Sequence, residues 1–408
     1  MVLNKEKISF VLIIINLNKE GMKNLLKSVF FCTILVLLNA CKKKEEDKIV
    51  PIQGNSSQAI KDYSAMVYIS YDDAISKAKL LQQSIETFGT NPNSSNFELC
   101  KQAWLAARIP YGQTEAYRLY GGPIDGEDGP EGYINGWPLD ESFIDYVEGN
   151  TESGIINLPK LYPTINDSLL LTLNEKDSET NIATGFHAIE FLLWGQDLYA
   201  NSAGKRPYTD YVMASNSSAN RRLQYLKVCS SLLVTQLTEV RDAWKVGAAW
   251  YSNFNNPVNK NISLRMIFDG IGKLSKGELA GERMNVALEN EDQEDEHSCF
   301  SDNTHIDIRM NFLGIKNVYL NTYISTNGIK TQGYSLSELV KAKSIETDKE
   351  ILLALENCEK YINDIPAPFD QAIINEKEKV VKAIKELQKL SDAIAGGASK
   401  LGLQISAD

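Results

Sequence analysis

The chain has 408 residues, 43% hydrophobic and 23% charged, with a formal net charge of −11, an ordinary globular composition long enough for two cores. An acidic balance of that size argues against nucleic acid as a partner, because phosphate recognition draws on surplus Lys and Arg. Only three histidines are present, so imidazole chemistry must come from His187, His297 or His305.

Residues 1–40 stand apart. Lys23 and Lys27 precede an apolar run at 29–38, followed by Asn39, Ala40 and Cys41. A basic segment, a short apolar segment and a small residue before Cys are the layout of a bacterial lipoprotein signal. The run is too short for a comfortable membrane span. A second apolar patch at 10–17 precedes it, so Met22 is the expected start and residues 1–21 a mis-set one. Cys41 is the expected lipidated N-terminus, and residues 41–57, opening Lys42-Lys43-Lys44-Glu45-Glu46-Asp47, are the expected polar tether. The expected location is the cell envelope, with the protein held at the outer membrane by its lipid, on the periplasmic or the surface face. Cleavage would remove five Lys and two Glu and take the net charge from −11 to −14. Cys100, Cys229, Cys299 and Cys358 then remain in the folded part without a C-x-x-C spacing. Buried free thiols are expected, with Cys299 set apart by its polar neighbours.

Helical periodicity dominates the rest of the chain. Residues 57–88 carry Ile60, Tyr63, Val67, Ile75, Leu80 and Leu81, with Ser57 as N-cap. A second helix opens at Phe97 and contains Trp104 and Arg108; Pro110, lacking an amide donor, should end or kink it. Residues 124–136 are rich in Gly, Asp and Glu and read as a long functional loop. A short helix is expected from Trp137 to Val147, and an apolar one from Thr180 to Trp194, closed by Gly195. Leu223, Leu226, Leu233, Leu237, Val240 and Trp244 mark a bundle helix. Further helices are expected at 262–288, where Gly270, Gly272, Gly277 and Gly281 permit close backbone approach, and at 305–323, 335–343, 348–362 and 369–395. Nothing reads as a sheet. The expected fold is all-α, two packed helical-bundle halves at 58–215 and 216–408 with a site at their interface.

His187 and Glu190 lie three positions apart in the apolar helix, so both project from one face and can converge on a cation. A Glu among Phe186, Ile189, Phe191, Leu192 and Leu193 needs a partner. That partner is either a metal or something blander, His187 itself or an Arg from a neighbouring helix. Arg108 and Glu115 stand seven apart, on one helical face if Pro110 only kinks the helix, and an ion pair between them is the structural alternative to a role in a site. Residues 289–307 hold His297 and His305 with Cys299, Ser301 and Asp302 between them, after an acidic run that by itself reads as a solvated face.

Taken together, Gly185-x-His187-x-x-Glu190, the Trp104/Arg108/Glu115 stretch, and the block from Glu282-Arg283-Met284 to His305 with its Ser298-Cys299-Phe300-Ser301-Asp302-Asn303-Thr304 core resemble the imelysin family, as does Ile365-Pro366-Ala367-Pro368-Phe369-Asp370. The likeness runs from about residue 60 to 403. It implies an exported all-helical protein of two four-helix-bundle-like halves, with His187 and Glu190 as the family's motif pair at their interface. Family members are filed as metallopeptidases and are also associated with iron regulation and uptake. From the chemistry of its side chain, Glu115 is the expected third metal ligand; Arg108, His297, Cys299, Ser301, Asp302 and His305 are pocket candidates.

Two functions compete. In the preferred one, the protein binds a metal ion, iron before zinc, and works with iron-uptake components; one His with carboxylates suits such an ion. Haem fits less well, since no C-x-x-C-H attachment motif is present, although one His can be an axial ligand. In the other, a zinc held by His187 and carboxylates activates water for peptide hydrolysis, but Glu190 cannot easily be both ligand and base. A third reading is a carbohydrate- or polymer-binding lipoprotein using Tyr120, Tyr133 and Trp137 for stacking.

Overall fold

Asn55, two residues before the expected cap, opens the first long helix. Its side-chain oxygen accepts from the amides of Ser57 and Gln58 at 3.0 and 3.3 Å, satisfying two of the four amides a helix start leaves free. Ser57 lies inside the helix. The computed structural model describes residues 55–406. The signal segment 1–40, Cys41 and most of the tether lie outside the described residues.

The principal helices are α1 Ser56–Thr90, α2 Ser94–Thr114, α3 Gly185–Trp194, α4 Ala219–Ala243, α5 Lys260–Lys273, α6 Thr304–Leu320, α7 Ile345–Asn363, α8 Phe369–Asn375 and α9 Lys377–Lys400. The all-α expectation holds. The described residues fall in one compact unit, Gln53–Asp408. Within it, α1 packs on α2 and α4, and α3 packs on both α2 and α4. Helix α9 packs on α5 and α7, and α2 joins the two groups through α6. Val67, Tyr71, Trp104, Tyr111, Leu226 and Leu233 are fully buried where the first group meets. Among the described residues no helix is long and apolar enough to cross a membrane.

Several local expectations give way to packing. Pro110 sits inside α2 without ending it. A proline there costs about 3 kcal/mol, and burial of Trp104 and Tyr111 on either side of it offsets that. The helix expected at 262–288 keeps its course but changes winding: Leu274–Asn285 is a π-helix between α5 and a last α-turn, Val286–Asn290. Of its glycines only Gly270 is tight, its Cβ position falling 2.9 Å from the Arg118 carbonyl; Gly277 faces open space. The helix expected from Trp137 shrinks to Glu141–Ile144, while Asp167–Leu173 is a helix without an expected counterpart. The terminal helix breaks between α8 and α9 at Glu376, whose ψ of 34° at φ −134° is not helical. One hairpin, Thr322–Ile324 with Lys330–Gln332, interrupts the all-helical pattern. At three residues per strand it is too short to show a period of two.

Candidate functional site

Helix α3 is aimed by its first residue. Gly185 has φ +86°, and a Cβ on it would fall 2.5 Å from the Ile134 carbonyl oxygen, so glycine is required both by conformation and by close approach. Thr184 does not cap the helix; its hydroxyl donates to the Tyr133 carbonyl at 3.0 Å. Trp104 Nε1 donates to the Phe186 carbonyl at 2.9 Å, and Tyr225 donates to that of Ala183 at 2.8 Å. These bonds set the start of α3 against α2 and α4. Gly195, at φ +74°, ends it.

The face so positioned carries His187 and Glu190, both fully buried. Nδ1 of His187 lies 2.9 Å from Oε2 of Glu190. The other oxygen, Oε1, accepts from the Ser301 amide at 3.0 Å and from the Ser301 hydroxyl at 2.6 Å. Both oxygens of Glu190 are therefore engaged. Nε2 of His187 is buried and has no hydrogen-bond partner. Burial, reinforced by the Arg108 and Arg283 guanidiniums, pushes the His187 imidazole well below its usual range and keeps it neutral. Burial pushes the Glu190 carboxyl up to about 8, against the opposing pull of Ser301 and Arg108. One proton lies on the Nδ1–Oε2 line in either ionisation state. With Glu190 as carboxylate, Nδ1–H donates and Nε2 keeps its lone pair; with Glu190 protonated, the acid donates and Nε2 carries hydrogen.

A second buried group stands beside the pair. His297 lies against His187 with ring centroids 4.7 Å apart. Arg108 donates to Asn135 Oδ1 at 2.6 Å and, through Nε, to Asp307 at 3.0 Å. Since Asn135 Oδ1 accepts from Arg108, its amide nitrogen donates to His297 Nε2 at 3.3 Å. Nδ1 of His297 lies 3.5 Å from Arg108 Nη2 and 3.9 Å from an Asp307 oxygen. Ser298 also donates to Asp307. Asn135 and Asp307 were not singled out from sequence, and no spacing signal ties them to Arg108 across separations of 27 and 199 residues.

Glu115 goes elsewhere. Helix α2 ends at Thr114 and Glu115 opens a 3₁₀ turn, so the seven-residue spacing does not bring it to Arg108. Its carboxylate takes Arg118 at 2.7 Å and Arg283 at 2.6 Å. Burial would raise Glu115, but the two guanidiniums outweigh it and hold the carboxyl down at about 2. Arg283 comes from the π-helix and also takes Glu278 at 2.8 Å. His187, Glu190 and Glu115 thus do not form a coordinating set, and among the described residues no group of three or more His, Cys, Asp or Glu is arranged to hold a metal ion.

The His297 group, through Asn135 and His297, and the Glu115 network, through Arg118, Arg283 and Glu278, border a cavity of about 540 Å³, which His187 and Glu190 do not line. Its wall carries seven carboxylates, among them Glu131, Glu278, Glu282 and Glu294, against the guanidiniums of Arg118 and Arg283. Trp137 and His297 also line it. The Trp137 ring lies 5.1 Å from that of His187. His187 accordingly sits one side chain behind the cavity wall.

The Imelysin family model (Peptidase M75) matches residues 67–395. The chain belongs to the imelysin family. This imelysin is 25% identical over 281 residues to the iron-regulated protein A of Synechococcus elongatus, an alignment covering 65% of this chain and 64% of that protein. The chain thus spans slightly under two thirds of that relative's length. The crystal structure described as an iron-regulated protein A precursor from Parabacteroides distasonis superposes with a TM-score of 0.65 at 17% identity, covering 86% of this chain and 97% of the other. At that identity the likeness is one of fold.

The remaining candidates scatter around the His187–Glu190 pair. Ser301 joins it, through Glu190. Cys299 is buried and its thiol is pushed up by burial, and all four described cysteines are free. His305 accepts no role at the cavity: Nδ1 meets the Asp302 carbonyl at 3.0 Å, and the ring lies by Ile308, Ile362 and Ile365. Asp302 faces a second acidic region. Tyr120 turns its hydroxyl onto that of Tyr63 at 3.0 Å, and Trp137 packs on His187 and Phe300.

Proposed function

We propose that this chain binds iron as a cation, an aquated ferrous ion or a small cationic iron complex, at the cavity lined by Trp137 and His297, with His187 Nε2, one side chain behind that wall, reached as its nitrogen donor when the Trp137 ring turns aside. In this reading the protein takes part in iron acquisition at the cell envelope, held by lipid at Cys41.

The buried, partnerless Nε2 of His187 carries the reading. A buried polar atom without a partner costs free energy unless something meets it, and once Glu190 gives up the proton that burial favours, its carboxylate on the opposite ring nitrogen orients His187 as a ligand and leaves the Nε2 lone pair free. Glu190 is then the positioning residue and not a ligand. The carboxylates of the cavity wall supply the second support: they concentrate cations and oppose anions such as haem propionates or ferric citrate. A single protein nitrogen cannot complete an iron coordination shell, so the cargo retains water or its own ligands, for which the cavity has room. Hydrolysis would further need a carboxylate placed to deprotonate water beside the metal, and Glu190 does not fill that role, because both its oxygens are occupied.

The test is anaerobic calorimetry of the full chain with ferrous ion, and in parallel with zinc, haem and ferric citrate. Ferrous ion should bind wild type, His187→Ala should lose it while retaining its melting transition, and the two anionic iron complexes should bind more weakly. Equal ferrous affinity in wild type and His187→Ala would refute the assignment.

A further inference from the structure

A second acidic cavity, of about 330 Å³, is lined by residues 291–294, which follow the last α-turn after the π-helix, and by α8. Asp370 of α8 lines it together with Glu291, Asp292 and Glu294, and no lysine or arginine does. Glu294 borders both cavities. Asp370 is 4% exposed, yet its Oδ1 has no partner; Oδ2 takes the Gln371 amide at 3.2 Å. Behind it stand Asp197, Glu296 and Asp302, each within electrostatic reach of Asp370. Glu296 is 1% exposed and its Oε1 is also without a partner.

Such a grouping is unfavourable by itself. Buried carboxylates need counter-charge or protons. Lys377 pairs with Glu291 at the rim, and Lys205 is the one cation felt by Asp197. Burial, then Asp197 and Asp370, push the Asp302 carboxyl up to about 7. The three carboxylates come from three separate stretches: Asp197 just past α3, Asp302 in the turn before α6, and Asp370 at the start of α8.

We infer that this cavity binds a hard divalent cation of the calcium or magnesium class, held by Asp370 with Glu294 and Asp292 and keeping part of its water. The donors are oxygens throughout, which selects hard ions and sets the site apart from the imidazole of His187. No three carboxylates are placed to hold a bare ion, and at ~30 Å³ per water the cavity has room for a hydration shell. The ion braces the 291–302 turn, which delivers His297 to His187 and Ser301 to Glu190. This inference is independent of the iron reading.

The experiment is thermal melting and calorimetry of the chelator-treated full chain with calcium chloride and, separately, magnesium chloride. Wild type should bind one of the two ions and melt at a temperature that rises with its concentration. Asp370→Asn should abolish both effects, and His187→Ala should retain them. Should Asp370→Asn fail to fold, the Asp292→Asn/Glu294→Gln double variant decides: loss of binding supports the site and full affinity overturns it. An absence of binding in wild type would mean that protons alone neutralise the cluster, and overturns the proposal. So would ion-dependent melting that persists in folded Asp370→Asn or vanishes in His187→Ala.

Discussion

Nδ1 of His187 and Oε2 of Glu190 lie 2.9 Å apart within a single helix, and the far oxygen of Glu190 is fixed by two donors from Ser301. This fixes what an amide would do at position 190. In Glu190→Gln the oxygen must stay on Ser301, so the amide nitrogen donates to Nδ1 and places hydrogen on Nε2. The variant should fold with a melting temperature near that of wild type and bind ferrous iron about 10- to 100-fold more weakly. Calorimetry of the two proteins side by side reads this directly; unchanged affinity would show that the ring's tautomer is irrelevant to binding.

Gly185→Ala should be costly although the side chain is one methyl group. The φ of +86° alone costs about 1–3 kcal/mol for a non-glycine residue, and the methyl carbon meets the Ile134 carbonyl. The expected result is a lower denaturant midpoint and, because α3 must shift, weaker iron binding as well. Loss of stability with full iron affinity would separate the glycine from the aim of His187.

Much of the scaffold was legible because its signals are local. The stripe Leu226, Leu233, Leu237 and Val240 is buried as its spacing requires. The G-x-H-x-x-E helix was legible for the same reason. Its chemistry was less so, since a spacing of three serves a shared cation and a mutual hydrogen bond equally well. What decides between them is Ser301, 111 residues away in sequence. Glu115 shows the same limit: its position seven residues after Arg108 suggests a common face, but its partner Arg283 is 168 residues away on a π-helix whose winding no periodicity announces.

Glu115 gives a pH-dependent prediction. Its carboxyl is held at about 2, down from 4.5, so its contribution is present above the unfolded value and is lost as pH falls from about 4.5 through 2. The depression corresponds to about 3 kcal/mol. Wild type should lose stability over that acid window more steeply than Glu115→Gln, as measured by urea midpoints from pH 5 to pH 2. Parallel curves would place the ionic contribution elsewhere.

Arg108 bridges Asp307, Asn135 and, through Asn135, His297. Arg108→Met keeps much of the side chain's bulk but leaves the Asp307 carboxylate buried without its cation. Such losses cost about 3–5 kcal/mol. The denaturant midpoint should drop accordingly, and Arg108→Met/Asp307→Leu should recover part of it. A single variant as stable as wild type would mean that the pair contributes nothing net.

Iron-edge X-ray absorption of the iron-loaded full chain tests the central claim most directly. The account predicts the multiple-scattering signature of one imidazole among otherwise light-atom ligands, absent from any iron retained by His187→Ala. Iron bound without an imidazole, or an identical spectrum in the variant, would contradict the assignment of His187 Nε2 as the donor.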